Sequence, residues 1–297
     1  MLMIWLMLLF PHILKGQSGE SQTDSRPVFG RKYKMGEVYR YQLTTSVNQN
    51  GKWVSTNISV CELKVVPDSN EVPYDEIRWL SAKELTAKDT IDHTKEALSV
   101  RPYRISLDPK GLLPIPKIEI PSMTGPITDF NTFFVAVGPQ LGATKLKRKG
   151  DNLEKDEPVK GNFSNGKNIL QGEDCLLVSV RMTGETTKNV LLRTSFLPPS
   201  HPCLTYITQD MQAPVVRDTM NNFQMIMPAG KGQYNLQYGR EFFYINSSIR
   251  KSDGKIEEAD MSNTLNLRIK LNCGADYKTC QMEVPFVIER TLKLELL

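Results

Sequence analysis

Histidine is scarce in this chain: His12, His93 and His201 are the whole supply in 297 residues. The motifs G-x-S-x-G and H-E-x-x-H are absent, so neither a serine-hydrolase elbow nor a zinc-protease helix can be read from it. So few imidazoles also leave little room for histidine-based acid–base or metal chemistry. An excess of one charge is missing too. The 37 basic residues face 33 acidic ones, a net charge of +4, too balanced to make nucleic acid the main partner. No stretch reaches the roughly 20 apolar residues of a membrane-spanning helix. What remains, 40% hydrophobic and 24% charged, is globular composition. It excludes disorder and collagen-like repeats, and it suits one large β-rich domain or two modest ones.

The longest apolar run is MLMIWLMLLF, residues 1–10, followed by Pro11, Lys15 and Gly16. Its length suits the apolar region of a secretory signal peptide. Gly16 and Ser18 supply small residues for cleavage after Ser18, so residues 1–18 are expected to be a signal peptide and the mature protein secreted or periplasmic, with no transmembrane segment. No Lys or Arg precedes the run, which leaves an uncleaved anchor as the alternative. Residues 19–32 read as a flexible polar leader and residues 33–297 as the β-rich domain. Two halves, 33–144 and 160–297, would be joined by the charged loop KLKRKGDNLEKDEPVK.

Five cysteines, Cys61, Cys175, Cys203, Cys273 and Cys280, accord with export. Cys273 and Cys280 bracket GADYKT between two strand-like runs, and a disulfide there would close a hairpin. Cys175 with Cys203 is the second expected bridge, leaving Cys61 buried in a strand. The spacings suit no zinc site, and no metal or cofactor is expected.

Period-2 alternation marks both ends of the chain. Tyr39, Tyr41 and Leu43 alternate with polar residues up to Asn50-Gly51, a dipeptide suited to a type I′ hairpin turn. The return strand carries Trp53, Ile58, Val60, Cys61, Leu63 and Val65. Near the other end Leu265, Leu267, Ile269 and Leu271 share one face. Phe286, Ile288, Leu292, Leu294 and Leu296 do the same in the last strand. Strands with one wet and one dry face imply antiparallel sheet. Gly36–Tyr41 and Asn50-Gly51-Lys52 can also be laid, at an offset of 203 residues, on 239–244 and Asp253-Gly254-Lys255, which suggests an internal repeat.

Between these ends the reading is less regular. SAKELTAKDTIDHTKEAL, 81–98, is the best helical candidate, although its threonines weaken it. Prolines 109, 114, 116, 121 and 126 make the following stretch an extended surface segment. DFNTFFVAVGPQLG, 129–142, is apolar throughout and reads equally as short helix or buried strand.

Candidate chemistry is thin. GNFSNGKN, 161–168, imitates a phosphate loop but ends on Asn168 instead of Ser or Thr, and reads as a glycine-rich turn. Glu173-Asp174 reads as a turn and not a catalytic pair. His201 near Cys203 sits in a rigid proline loop. Met211, Met220, Met225 and Met227 read as core filling. Asn57, Asn162 and Asn246 begin glycosylation sequons. No catalytic residue is assigned.

The opening Tyr33-Lys34-Met35-Gly36-Glu37-Val38-Tyr39-Arg40-Tyr41 resembles the start of secreted bacterial β-rich proteins of unknown function. It is similar to periplasmic domains shaped as curved half-barrels, some of which carry lipid. The resemblance implies an all-β fold with minor helix: curved antiparallel sheets, as a half-barrel or sandwich. Two functions follow. One is an exported non-enzymatic binding or scaffold protein that holds an apolar small molecule or an envelope protein. The other is an exported hydrolase whose carboxylate site is invisible in sequence. Two carboxyl groups about 5–10 Å apart in a cleft would favour the hydrolase, and an apolar pocket the binder.

Overall fold

The computed structural model describes residues 29–114, 116–162, 168–199, 205–207, 214–216 and 221–297. The expected signal peptide lies outside the described residues. The alternating runs become strands β1 (Val38–Gln49), β2 (Lys52–Pro67) and β3 (Pro73–Thr86). There follow β4 (Thr90–Asp92), the short helix α1 (Thr94–Ser99), β5 (Tyr103–Ile105) and the longer helix α2 (Thr124–Ala136). The second part holds β6 (Asn152–Asn162), β7 (Asn168–Glu185), β8 (Asn189–Leu197), β9 (Thr205–Ile207), β10 (Pro214–Val216) and β11 (Phe223–Gly230). It ends in β12 (Gln233–Arg250), β13 (Ile256–Cys273) and β14 (Met282–Leu296).

All of these strands belong to one antiparallel sheet, ordered β10-β9-β7-β8-β12-β13-β14-β1-β2-β3-β4, with β11 beside β12, β5 beside β3 and β6 beside β7. The first and last long strands pair directly, Tyr41 opposite Leu296, so both ends of the chain belong to a single sheet. Asn50 and Gly51 take φ of 48° and 75°, and Gln49 pairs with Lys52. That is the two-residue turn the dipeptide announced.

The sheet curls around α2. Every residue from Ile127 to Ala136 is buried, as expected of a helix enclosed on all sides. Phe130 meets Tyr41 and Trp79 edge-on at 5.9 and 5.7 Å. From the far side of the sheet, Thr194 on β8 donates to the Ala136 carbonyl at 2.7 Å. Contacts from β1, β3 and β8 on one helix require a curved sheet, and its two edges stay apart. This all-β, minor-helix half-barrel also settles 129–142 as mostly helix.

Three expectations are corrected. Residues 81–98 are not one helix: β3 runs to Thr86, and helix is confined to α1. Pairing with β2 from Pro73 to Thr86 outweighs weak local propensity, and the Thr86 hydroxyl accepts from Asp89 N at 3.1 Å to turn the chain. The charged stretch 145–160 is a loop only as far as Asp151, whose carboxylate accepts from Lys147 N at 2.8 Å. From Asn152 it becomes β6, an edge strand whose exposed Glu154, Lys155 and Asp156 suit an unpaired sheet margin. Glu173-Asp174 lies within β7, where the register with β6 shifts; the irregularity is a bulge and not a turn.

The aligned segments both run strand, turn and return strand, as β1–β2 and β12–β13, but their side chains face differently. Tyr39 and Tyr41 are buried, whereas the aligned Phe242 and Tyr244 sit on the half-exposed face of β12. Gly254 has a different task from Gly51. At φ +71° its missing Cβ would lie 2.1 Å from the Gly30 carbonyl oxygen, so the chain ahead of β1 can pack on the β12–β13 turn. There Lys32 N donates to Asp253 O at 2.8 Å. Phe29 is buried. The Arg31 side chain, 1% exposed, lies 3.5 Å from Asp75 and 3.4 Å from Glu37, with its guanidinium over Tyr33 and Tyr39.

Candidate functional site

The inner face of the sheet is largely apolar, and besides the Arg31–Asp75 pair it holds a polar layer beneath α2. Along β13, Ala259 and Met261 belong to the main core around α2, while Leu265 and Leu267 join Phe223, Phe286 and Ile288 in a second cluster. Asn263 lies between them with the same parity. On β14 Arg290 stands directly opposite Asn263, between Ile288 and Leu292. A polar layer therefore separates two apolar ones. Neighbours at period 2 share a face, so these residues are held inside by the register of their strands.

Arg290 forms an ion pair with Asp129 of α2, and Thr45 Oγ1 donates to Asp129 Oδ2 at 3.3 Å. Burial pushes the Asp129 carboxyl up, and Arg290 and Thr45 pull it back. Behind them Glu241 of β12 is also buried and accepts from Asn263 Nδ2 at 2.9 Å. Desolvation pushes its carboxyl up to about 7, against the pull of Asn263 and Arg290; Asp129 adds repulsion. Asn222 clamps the Glu241 backbone through its own amide, at 2.7 Å to both N–H and carbonyl.

This layer is the floor of a cleft of about 200 Å³ between the inner sheet face and the first turn of α2. Leu43, Val47, Leu265, Ile288 and Pro126 supply apolar wall, and Thr45, Ser55, Ser59 and Thr124 neutral hydroxyls. Asp129 and Arg290 reach it, whereas Glu241 does not line it. Glu84 and His93 also face the cleft, 3.7 Å apart and part-exposed. Among the described residues no cluster suits a metal ion, and no helix is long and apolar enough to cross a membrane.

The residues singled out from sequence fall elsewhere. Cys273 and Cys280 stand at disulfide distance, 2.13 Å between sulfurs, in the loop beyond the last β13–β14 pair, Leu271 with Met282. They close the loop and do not bridge the ladder. Asp276 shapes that loop, accepting from Lys278 N at 3.0 Å and Thr279 N at 3.1 Å. Cys61 is free and buried, and burial pushes its thiol far up, which keeps it protonated and inert. Cys203, His201, Met211, Met220 and the middle of GNFSNGKN lie outside the described residues, so the Cys175–Cys203 bridge does too. Met225 packs on the second cluster. Asn57 lines the cleft, and Asn246 is on the exposed face.

Sequence reasoning missed Asp129, Arg290, Glu241 and Asn263. A signal was present: Asn263 and Arg290 are polar residues at the apolar parity of their strands, a departure that marks either a buried network or a site.

No protein-family model matches the sequence, and no curated protein does. Among solved structures, one described as "Lipid-protein interactions in lipovitellin" aligns with 90% of this chain at 14% identity and a TM-score of 0.40. The chain spans 25% of that structure's length. MucB of Pseudomonas aeruginosa in its complex with MucA aligns over 88% of this chain and 89% of its own, at 11% identity and a TM-score of 0.15. A second MucB complex gives 87%, 89%, 10% and 0.14. The chain is assigned to no family.

Proposed function

We propose that the chain is an exported, non-enzymatic binding protein that holds a small apolar molecule in the cleft beneath α2. The observation carrying this reading is the chemistry of the walls. They are mainly apolar side chains and neutral hydroxyls; the buried Asp129 on the floor is matched by Arg290, and the part-exposed Glu84 on the wall lies beside His93. A ligand seated on that floor buries apolar surface without having to neutralise a protein charge there. At about 200 Å³ the space falls below the roughly 300–1,000 Å³ of drug-sized sites, so it suits a slender ligand or one end of a longer chain.

The exported hydrolase is the second reading, and Asp129 beside Glu241 is what favours it. Glu241 is walled off from the cleft, and Asp129 is held by Arg290 and Thr45. Neither carboxyl is placed to meet a substrate as a free acid or base, so we place binding first.

Native mass spectrometry of protein purified from its own host, before and after lipid extraction, tests the proposal. The expected result is a small apolar molecule at one per chain. It should be missing from Gly125→Leu, since Gly125 lines the cleft and its Cβ would point into open space. Purified protein with no extractable molecule, and no uptake of the neutral dye N-phenylnaphthylamine, would refute it. Mature protein whose N-terminus is still Met1 would remove the export.

A further inference from the structure

Three polar atoms on the floor of the cleft are buried and have no hydrogen-bond partner: Asp129 Oδ1, Arg290 Nη1 and Thr124 Oγ1. Their residues all line the cleft, and their side chains are deeply buried. Asp129 Oδ1 can only accept, Arg290 Nη1 can only donate, and the Thr124 hydroxyl can do either. Buried groups left in that state carry their full desolvation cost, which a fitting ligand group would offset.

We propose that the cleft selects an apolar alcohol, its neutral hydroxyl seated on Asp129, Arg290 and Thr124 and its hydrocarbon body against Val47, Leu265 and Ile288. The inference rests on the binding reading above and names its ligand class. A hydroxyl donates a hydrogen bond to Asp129 Oδ1 and accepts one from Arg290 Nη1, so one group can serve both. A carboxylate can accept from Arg290 but would set a second negative charge beside Asp129, in a layer that already holds Glu241. An ammonium can donate to Asp129 but faces the Arg290 cation. A plain alkane leaves all three atoms unpaired. Because Asp129 and Arg290 already neutralise one another, a charged head seated beside them meets repulsion from one of the two.

The probes follow from the volume. About 200 Å³ is roughly seven times the 30 Å³ or so that a water occupies, so eight-carbon chains are suitable. Delipidated protein is titrated at pH 7.5 with 1-octanol, octane, octanoate and octylamine, by displacement of N-phenylnaphthylamine. Octanol should bind at least about tenfold more tightly than the other three, since a site with buried polar groups rejects analogues that leave them unpaired. Thr124→Val should weaken octanol about fivefold and leave octane unchanged, with circular dichroism confirming the fold. Tightest binding of octanoate or octylamine, equal binding of all four, or a Thr124→Val protein indistinguishable from wild type would overturn the inference while leaving apolar binding intact. Failure of all four probes and of the dye would overturn the binding reading itself.

Discussion

Glu241 offers a direct measure of the polar layer. It is buried, its backbone is fixed by Asn222, and desolvation moves its carboxyl from 4.5 to about 7. At 1.36 kcal/mol for each pH unit, that displacement corresponds to about 3 kcal/mol. The folded protein holds this proton more tightly than the unfolded chain does. The associated stability is therefore fully present below pH 4.5 and is lost as the pH rises through 7. Glu241→Gln has no proton to lose, and its amide oxygen can still accept from Asn263 Nδ2. Urea unfolding followed by circular dichroism, at unit steps from about pH 4 to pH 8, isolates the effect because groups remote from Glu241 titrate equally in both proteins. The stability of the Gln variant relative to wild type should rise by about 3 kcal/mol between the ends of that range, most steeply between 4.5 and 7. Two parallel profiles would refute the reasoning, since they would place Glu241 in contact with water.

Arg290→Met leaves Asp129 buried without its counter-ion and should cost about 3–5 kcal/mol in urea unfolding, while Asp129→Asn added to it should recover most of the loss. Phe130→Ala removes the ring that joins α2 to Tyr41 and Trp79 and should cost about 3–5 kcal/mol, read as a lowered thermal midpoint. Non-reducing peptide mapping should recover Cys273 linked to Cys280, and Cys273→Ser should lower stability by about 2 kcal/mol, the value for so short a loop.

Much of the fold was legible because it is local. Tyr39, Tyr41 and Leu43 alternate with polar neighbours, so one face of β1 had to be dry. Asn50-Gly51 tolerates the positive φ angles of its turn, which fixed where β1 reverses. Both features depend on neighbours within a few residues, and the same holds for the loop between Cys273 and Cys280.

What local sequence misjudged was decided by partners. Residues 81–86 have weak helical spacing but lie beside β2, and a ladder of backbone hydrogen bonds outweighs a propensity of a few tenths of a kcal/mol per residue. The charges of 152–156 suggested a solvated loop, yet a sheet margin accepts the same residues. Around α2 the apolar residues show no period because the helix is enclosed on all sides, so its pattern carried no distinction between helix and strand.

The cleft shows the division most clearly. Alternation alone put Asn263 and Arg290 on the inner faces of β13 and β14, and two polar residues at apolar parity are visible in the sequence. Their partners are not. Asp129 meets Arg290 across 161 residues, and Glu241 meets Asn263 across 22, because a curled sheet and the helix inside it bring four elements to one layer. Sequence determines which face each residue takes, since side-chain direction follows from the backbone period. Which charges share a buried space, and what that does to their protonation, is set by long-range packing, and only the tertiary structure decides it.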